Sequence, residues 1–293
     1  MTDITQRAML VSLNIKNWSA NRKDPKVTKE VAEKHNADAD AGNYTKRLLG
    51  KAALAEVREI ASAARQEHYA QSLPWSDAGM RILPASNYFH YTDILTTWEE
   101  KYWRGVDGFI LLYPTYRDQR KLSLGDMWNE DEYPPVSEVR DSFGWTRNIM
   151  PMPNEQDFRV ELSQADVTRI QEDIRSRVLK EVQSASQELW MRLSESVEHM
   201  VERLTKYDQL GKDGQIVHSF RESMLTNMAG VIDLLPRLNV SGDDELDKIA
   251  KRMKTKLLKY DTDDLRKDQA VRQQVAADAS EILDAMSGYI TAN

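Results

Sequence analysis

Cysteine is missing altogether from the 293 residues. That excludes disulfides, Cys-based zinc sites and thiolate nucleophiles. Glycine and proline are sparse, at 12 and 9 residues. No low-complexity tract and no repeat of fixed period is visible. No apolar run approaches the 18 residues of a membrane-spanning helix, and the start has no signal-peptide pattern. Basic residues number 40 against 47 acidic ones, a formal charge of −7. That balance argues against wrapping nucleic acid by bulk charge. The profile predicts a soluble, cytoplasmic, mostly helical protein with no bound cofactor.

The few prolines and glycines are unevenly spread. Eight of the nine prolines lie in the first 153 residues, and six of the seven tryptophans lie before residue 150. No glycine falls between Gly144 and Gly211, and no proline between Pro153 and Pro236. The front half is nearly neutral, with 20 basic and 21 acidic residues, and the back half carries 20 and 26. This break, near Pro151–Pro153, predicts two regions. Residues 1–153 form an aromatic-rich α+β region with a small sheet, completed by a strand over 158–162. Residues 163–293 form an elongated helical bundle.

In the front half, Val11, Leu13 and Ile15 alternate with polar residues, the period of a strand. Asp24-Pro25 reads as an N-cap and first-turn proline, opening a helix to His35 with Val27, Val31 and Ala32 as its stripe. A second helix is expected over 52–72, with Leu54, Val57, Ile60 and Ala64 on one face. The prolines at 74 and 84 and Gly79 predict a loop over 73–84. A third helix is expected over 85–113, weakened at Gly105 and Gly108. Tyr133-Pro134-Pro135 opens a short helix that stops near Gly144. Trp145–Met150 and Phe158–Leu162 are the other strand candidates, giving a small three-stranded sheet.

Periodicity is strongest in the back half. Ser163, with Asp166 three residues on, forms a near capping box. From Val167 to Leu204 ten apolar steps cover 37 residues, about 3.7 per step. That fits one nearly straight helix of roughly 40 residues, about 60 Å long, better than a heptad coiled coil. Three shorter helices are expected over 213–235, closed by Pro236, over 243–260 and over 268–290. Their short connections predict an antiparallel bundle on the long helix, which has room to overhang it. The fold class expected is therefore mainly α.

Chemistry-bearing patterns are few. His35, His68, His90, His199 and His218 form no i, i+4 pair, so no metal site is expected. Asp261-Thr262-Asp263-Asp264 lacks the glycine and glutamate of a calcium loop. It reads as turn and cap, as Asp243–Glu245 does at a helix start. Gly211-Lys212-Asp213-Gly214 has no strand before it and no Lys-Ser/Thr after it, so it is a turn and not a phosphate loop.

Three constellations remain. Lys248, Lys251, Arg252, Lys254, Lys256 and Lys259 form a basic helix face, read as solvated or, alternatively, as a phosphate-binding stripe. No interleaved aromatics are there to stack bases. The segment 73–91 gathers Trp75, Asp77, Arg81, Tyr88 and His90. It reads as a binding loop, or as a structural loop whose Trp75 and Leu83 plug the core. Asp77, Arg81, His68 and His90 are the residues an unrecognised enzymatic site would use. Trp98, Tyr102, Trp103 and Phe109 fall at helical spacing and read as core.

Several segments carry a resemblance. They include Met9-Leu-Val-Ser-Leu-Asn-Ile15 with Trp18, Val27-Thr-Lys-Glu-Val-Ala-Glu-Lys-His35 and Ala41-Gly-Asn-Tyr-Thr-Lys-Arg-Leu-Leu49. Others are His68-Tyr69 with Leu73-Pro-Trp-Ser-Asp77, Arg81-Ile-Leu-Pro-Ala85, Tyr133-Pro134-Pro135 and Asp157-Phe-Arg-Val-Glu-Leu162. Leu235-Pro-Arg-Leu-Asn239 and Tyr260-Asp261 complete the set. Over essentially its whole length the chain resembles a domain-of-unknown-function family carried by tailed phages, plasmids and integrative conjugative elements. The resemblance implies no catalytic residue. It implies a phage or mobile-element setting, the host cytoplasm, and a neighbourhood of MoxR-type AAA ATPases, von Willebrand A proteins or recombination proteins. The expectation is a non-enzymatic interaction or accessory protein. Its partner would be a MoxR-type AAA ATPase or a second copy of itself, with DNA metabolism as the other setting implied. Nucleic acid is the less favoured partner, and no membrane is expected.

Overall fold

A computed structural model describes residues 4–75, 79–157, 162–207 and 221–290. In chain order the elements begin with α1 (Ile4–Arg7), β1 (Ala8–Lys16), β2 (Asn21–Lys23), α2 (Pro25–Lys34), β3 (Thr45–Arg47) and α3 (Ala55–Ala70). Next come β4 (Leu73–Pro74), β5 (Arg81–Pro84), α4 (Tyr88–Leu124), α5 (Val136–Asp141) and β6 (Gly144–Pro151). The chain ends with α6 (Gln164–Thr205), α7 (Glu222–Leu238), α8 (Asp244–Leu257), α9 (Thr262–Lys267) and α10 (Gln269–Ile290). The fold is mainly α with a small antiparallel sheet.

The chain divides into two compact units, both discontinuous in sequence. A bundle unit comprises Met1–Val11, Ala70–Phe89 and Ile149–Asn293, and an aromatic unit Ser12–Tyr69 and His90–Asn148. The compositional break near residue 151 lies beside only one of the four places where the chain changes unit. Residues 1–153 are therefore not one region. Ala8, Leu10, Leu73, Trp75 and Ile82 bury in the same core as the long helix α6.

In the bundle unit, α6 carries the design. Ser163 caps it by accepting from the Asp166 amide. Buried positions begin at Val178 and continue through Ala185, Leu189, Leu193, Val197, Met200 and Leu204. None of the first 14 residues of the helix is fully buried, and Ile174 packs partly buried against the core. Cross-helix contacts fix the directions. Trp190 stacks on Tyr289 at 4.4 Å, and Tyr207 lies 4.5 Å from the Arg272 guanidinium. Moving 17 residues forward on one chain segment moves 17 back on the other, so α6 and α10 run antiparallel. Lys256 meets Asp278 while Arg252 meets Glu281, so α8 and α10 are antiparallel too. Lys254 meets Asp233 and Asn239 meets Asp247, which sets α7 against α8. The bundle is thus antiparallel around its ring. Asp261–Lys267, expected as a connection, instead holds the short helix α9 with a full capping box between Asp261 and Asp264. The described part of the 213–235 helix begins at Glu222, and it passes through Pro236 to Leu238. Ile216, Val217 and Phe220 lie outside the described residues.

The stretch 73–84 is corrected from loop to strand at both ends. Leu73 pairs with Ile82, and β5 pairs in turn with Ala8–Val11 of β1. The two prolines do not prevent this, because proline fits strand ends and edges. The sheet therefore has four strands, in the order β4-β5-β1-β6, where three were expected. Of the strand candidate 158–162, residues 158–161 lie outside the described residues and Leu162 is not in a strand. A separate two-stranded ribbon joins β2 to β3.

In the aromatic unit, α4 runs 37 residues, eleven beyond the expected end at Tyr113. It passes through Gly105, Gly108 and Pro114, because its buried face supplies what propensity does not. Tyr102, Val106, Phe109 and Tyr113 form that face with Val57, Ala61 and Ala64 of α3. Trp98 and Trp103 pack against it. Three buried tyrosines also donate to backbone carbonyls: Tyr102 to Lys16 (2.6 Å), Tyr113 to Pro134 (3.0 Å) and Tyr133 to Leu48 (2.7 Å). Helix α2 is capped by Asp24 as expected, but its Val27–Val31–Ala32 stripe buries nothing, and Val31 is 49% exposed.

The two glycines of α4 behave oppositely. A Cβ on Gly105 would lie 3.1 Å from Ile60 Cδ1, so α3 and α4 touch there, whereas Gly108 faces open space. Gly108→Ala should stabilise by about 0.5–1 kcal/mol through helix propensity. Gly105→Leu should destabilise by roughly 1–3 kcal/mol through overpacking. Thermal melts of the two variants, moving in opposite directions from the parent, are the expected result.

Candidate functional site

The described residues of the 73–91 segment fall in two units, through Phe89 in the bundle unit and from His90 in the aromatic unit. Trp75 is 8% exposed and plugs the bundle core, as the structural alternative for this segment expects. Asp77 lies outside the described residues. Arg81 donates from Nε to the Ser72 hydroxyl (2.8 Å) and from Nη2 to the Ser72 carbonyl (2.9 Å). Arg192 of α6 donates to the same carbonyl (3.1 Å) and to that of Ala70 (3.1 Å), while Glu188 sits 3.2 Å from its Nε. Ser72 is fully buried. Two guanidiniums therefore tie the start of β4 to β5 and α6. Asn87, also fully buried, donates to the Gln71 carbonyl (2.8 Å) and side chain (3.1 Å). Tyr88 is half-buried against an exposed Phe89.

Of the residues weighed for an enzymatic site, His90 is exposed at the start of the aromatic unit's second segment. His68 belongs to the aromatic unit, buried, with Nδ1 2.9 Å from the Tyr91 hydroxyl. Arg81 belongs to the bundle unit. Among the described residues no group of three or more His, Asp or Glu is placed to hold a metal ion, and no helix is long and apolar enough to cross a membrane.

The basic face of α8 is largely paired within the bundle. Lys248 meets Glu245 (2.6 Å), Arg252 meets Glu281 (2.5 Å) and Lys254 meets Asp233 (3.0 Å). Lys256 meets Asp278 (2.9 Å) and Glu281 (3.3 Å). The pairing raises the Lys248 and Lys256 pKa values and lowers those of Asp278 and Glu281. Lys259 lies over the Tyr260 ring, and Lys251 is exposed. Six positive charges in the sequence thus carry four carboxylates with them.

The aromatic unit holds features that motif reading missed. Lys46 is 3% exposed on β3, between Asp24 (3.3 Å) and Glu132 (2.6 Å), and donates to the Met127 carbonyl (2.7 Å). Burial pushes its ammonium pKa down, but the hydrogen bonds it donates to Glu132 and Asp24 outweigh this and leave it raised. Asp24 is held low by the Val27 amide, against burial, and then by Lys46. This triad fastens the ribbon to the cap of α2 and to the segment before Tyr133. Beside the ribbon lie two surface cavities. One, of about 360 Å³, is lined by Ser19, Ala20, Asn21, Arg47, Leu49, Gly50, Lys51, Leu54 and Arg58. The other, of about 470 Å³, lies against α2, from Lys23 to Asn43. The only signal that could have flagged the first is the basic spacing of Arg47, Lys51 and Arg58.

The sequence matches no family model, and neither a curated protein nor a solved structure matches it.

Lys46→Met should destabilise the aromatic unit by roughly 3 kcal/mol, because two carboxylates stay behind without their cation. The Asp24 contribution is present above the ordinary carboxylate pKa near 3.9 and is lost as pH falls through its depressed folded value. The melting-temperature gap between parent and variant should therefore close below about pH 4. Burial raises the Tyr133 pKa to about 12. Its stabilising effect is full below the ordinary tyrosine pKa near 10 and disappears as pH climbs toward the folded value. Ultraviolet titration should show a tyrosine that ionises late, and Tyr133→Phe should remove it.

Proposed function

We propose that this chain is a non-enzymatic interaction protein that docks a protein partner through the first turns of α6. One observation carries the reading. None of the first 14 residues of α6 is fully buried, and they hold half-buried Val167, Ile170 and Ile174 at helical spacing, with Ile174 packed against the bundle core. Val167 and Ile170 belong to neither hydrophobic core. At 1.5 Å per residue this is about 20 Å of amphipathic helix, the form that helix-in-groove recognition uses. Exposed Leu162 and Leu179 extend the apolar character at either end.

The resemblance to a phage and mobile-element family supports an accessory role in the host cytoplasm. A MoxR-type AAA ATPase or a second copy of this chain is the partner in that setting. The α8 face supports the nucleic-acid reading less well, since four of its six cations already face carboxylates.

Size exclusion with light scattering, and pull-down from the native carrier, test the proposal. The parent should elute as a dimer or with a retained protein. A Val167→Asp, Ile170→Asp double variant should lose that association with an unchanged melting temperature. A strict monomer without a partner, or association indifferent to the double variant, overturns it.

A further inference from the structure

We infer that the cavity beside the β2–β3 ribbon is a binding site for a phosphate-bearing ligand. Arg47 on β3, Lys51 at the next turn and Arg58 on α3 all line one space of about 360 Å³. No carboxylate lines it. Among the described residues none of the three cations is within ion-pair distance of an acid, although 47 acidic residues are present in the chain. That contrasts with α8, where four of six cations have found carboxylates on their own fold. Three unneutralised cations around one concavity focus a positive field on it.

The walls are built, too. Arg58 Nη2 donates to the Ser19 carbonyl (3.1 Å), which orients its remaining donors. Arg120 holds the Arg47 carbonyl (3.0 Å), so the backbone beneath the Arg47 side chain is fixed. Ala20 between them has φ 52°, a left-handed backbone that costs a residue with a Cβ about 1–2 kcal/mol. The Leu48 amide holds it there by donating to the Ala20 carbonyl (2.8 Å). Strain of this kind collects where a fold must hold a surface in one shape.

The volume lies within the roughly 300–1,000 Å³ of small-ligand pockets. Guanidiniums bind phosphate oxygens bidentately, and lysine adds a point charge. Phosphate is therefore the recognised group, whether on a free nucleotide or on a nucleic-acid strand. The site is separate from the α6 segment and stands or falls without it.

Calorimetric titration of the full chain with pyrophosphate, ATP and a short thymidine oligonucleotide, at low and at roughly 0.2 M salt, decides the matter. At least one probe should bind at low salt. Arg47→Gln with Lys51→Gln should weaken it at least tenfold, at an unchanged melting temperature. Among the described residues neither side chain makes a hydrogen bond, so the pair is a cleaner variant than Arg58→Gln. If the oligonucleotide binds tightest, its salt slope should fall by about two in that variant, and the source is a strand. If ATP binds tightest, the source is a free nucleotide. No binding at low salt by any probe overturns the inference. So does affinity unchanged by the double variant, or an equal loss in a Lys248→Gln, Lys251→Gln control.

Discussion

The bundle unit depends on one apolar stripe along α6. From Ala185 to Leu204 it presents a buried residue at least every four positions, and α7 and α10 close against it. Helices of this length hold together by packing more than by propensity. The pairs Trp190–Tyr289 and Tyr207–Arg272 set the register of α6 against α10. Before Val178 no residue of the same helix is fully buried, and its apolar positions are half-buried. The proposed docking segment and the core are thus two stretches of one periodic pattern.

The aromatic unit solves a different problem. Its chain is irregular, so many carbonyls lack strand or helix partners. Buried tyrosines supply the donors: Tyr102, Tyr113 and Tyr133 each satisfy one carbonyl and fill volume with the ring. Lys46 does the same for Met127 while pairing with both Asp24 and Glu132. A buried charge placed this way needs all its partners, because losing one leaves the others stranded in a medium of low polarity. The ribbon that Lys46 anchors also carries the wall of the basic cavity. The buried cation is structural, and among the described residues the exposed ones beside it have no ion-pair partner.

That contrast separates two kinds of basic cluster that look alike as sequence. The α8 cations sit on a regular helix whose neighbours α7 and α10 bring acids to them. The cations at Arg47, Lys51 and Arg58 are further apart in meaning, on a strand, a turn and a helix, and only folding gathers them. Helix spacing drew attention to the first cluster and passed over the second.

What was legible in the sequence was what local periodicity and local hydrogen bonding decide. The caps Asp24, Ser163 and Asp243, the span of α6 and the buried faces of α8 and α10 follow from residues three or four apart. Absent cysteine settled thiol chemistry without any structure. The tertiary structure alone decided the pairings between distant segments. It made strands of Leu73–Pro74 and Arg81–Pro84, because β1 offered an unpaired edge some seventy residues away. It turned Trp75 inward, carried α4 past Gly105 and Pro114, and divided the front half between two units. Such outcomes depend on burial against partners that lie far along the chain, and no local window contains them.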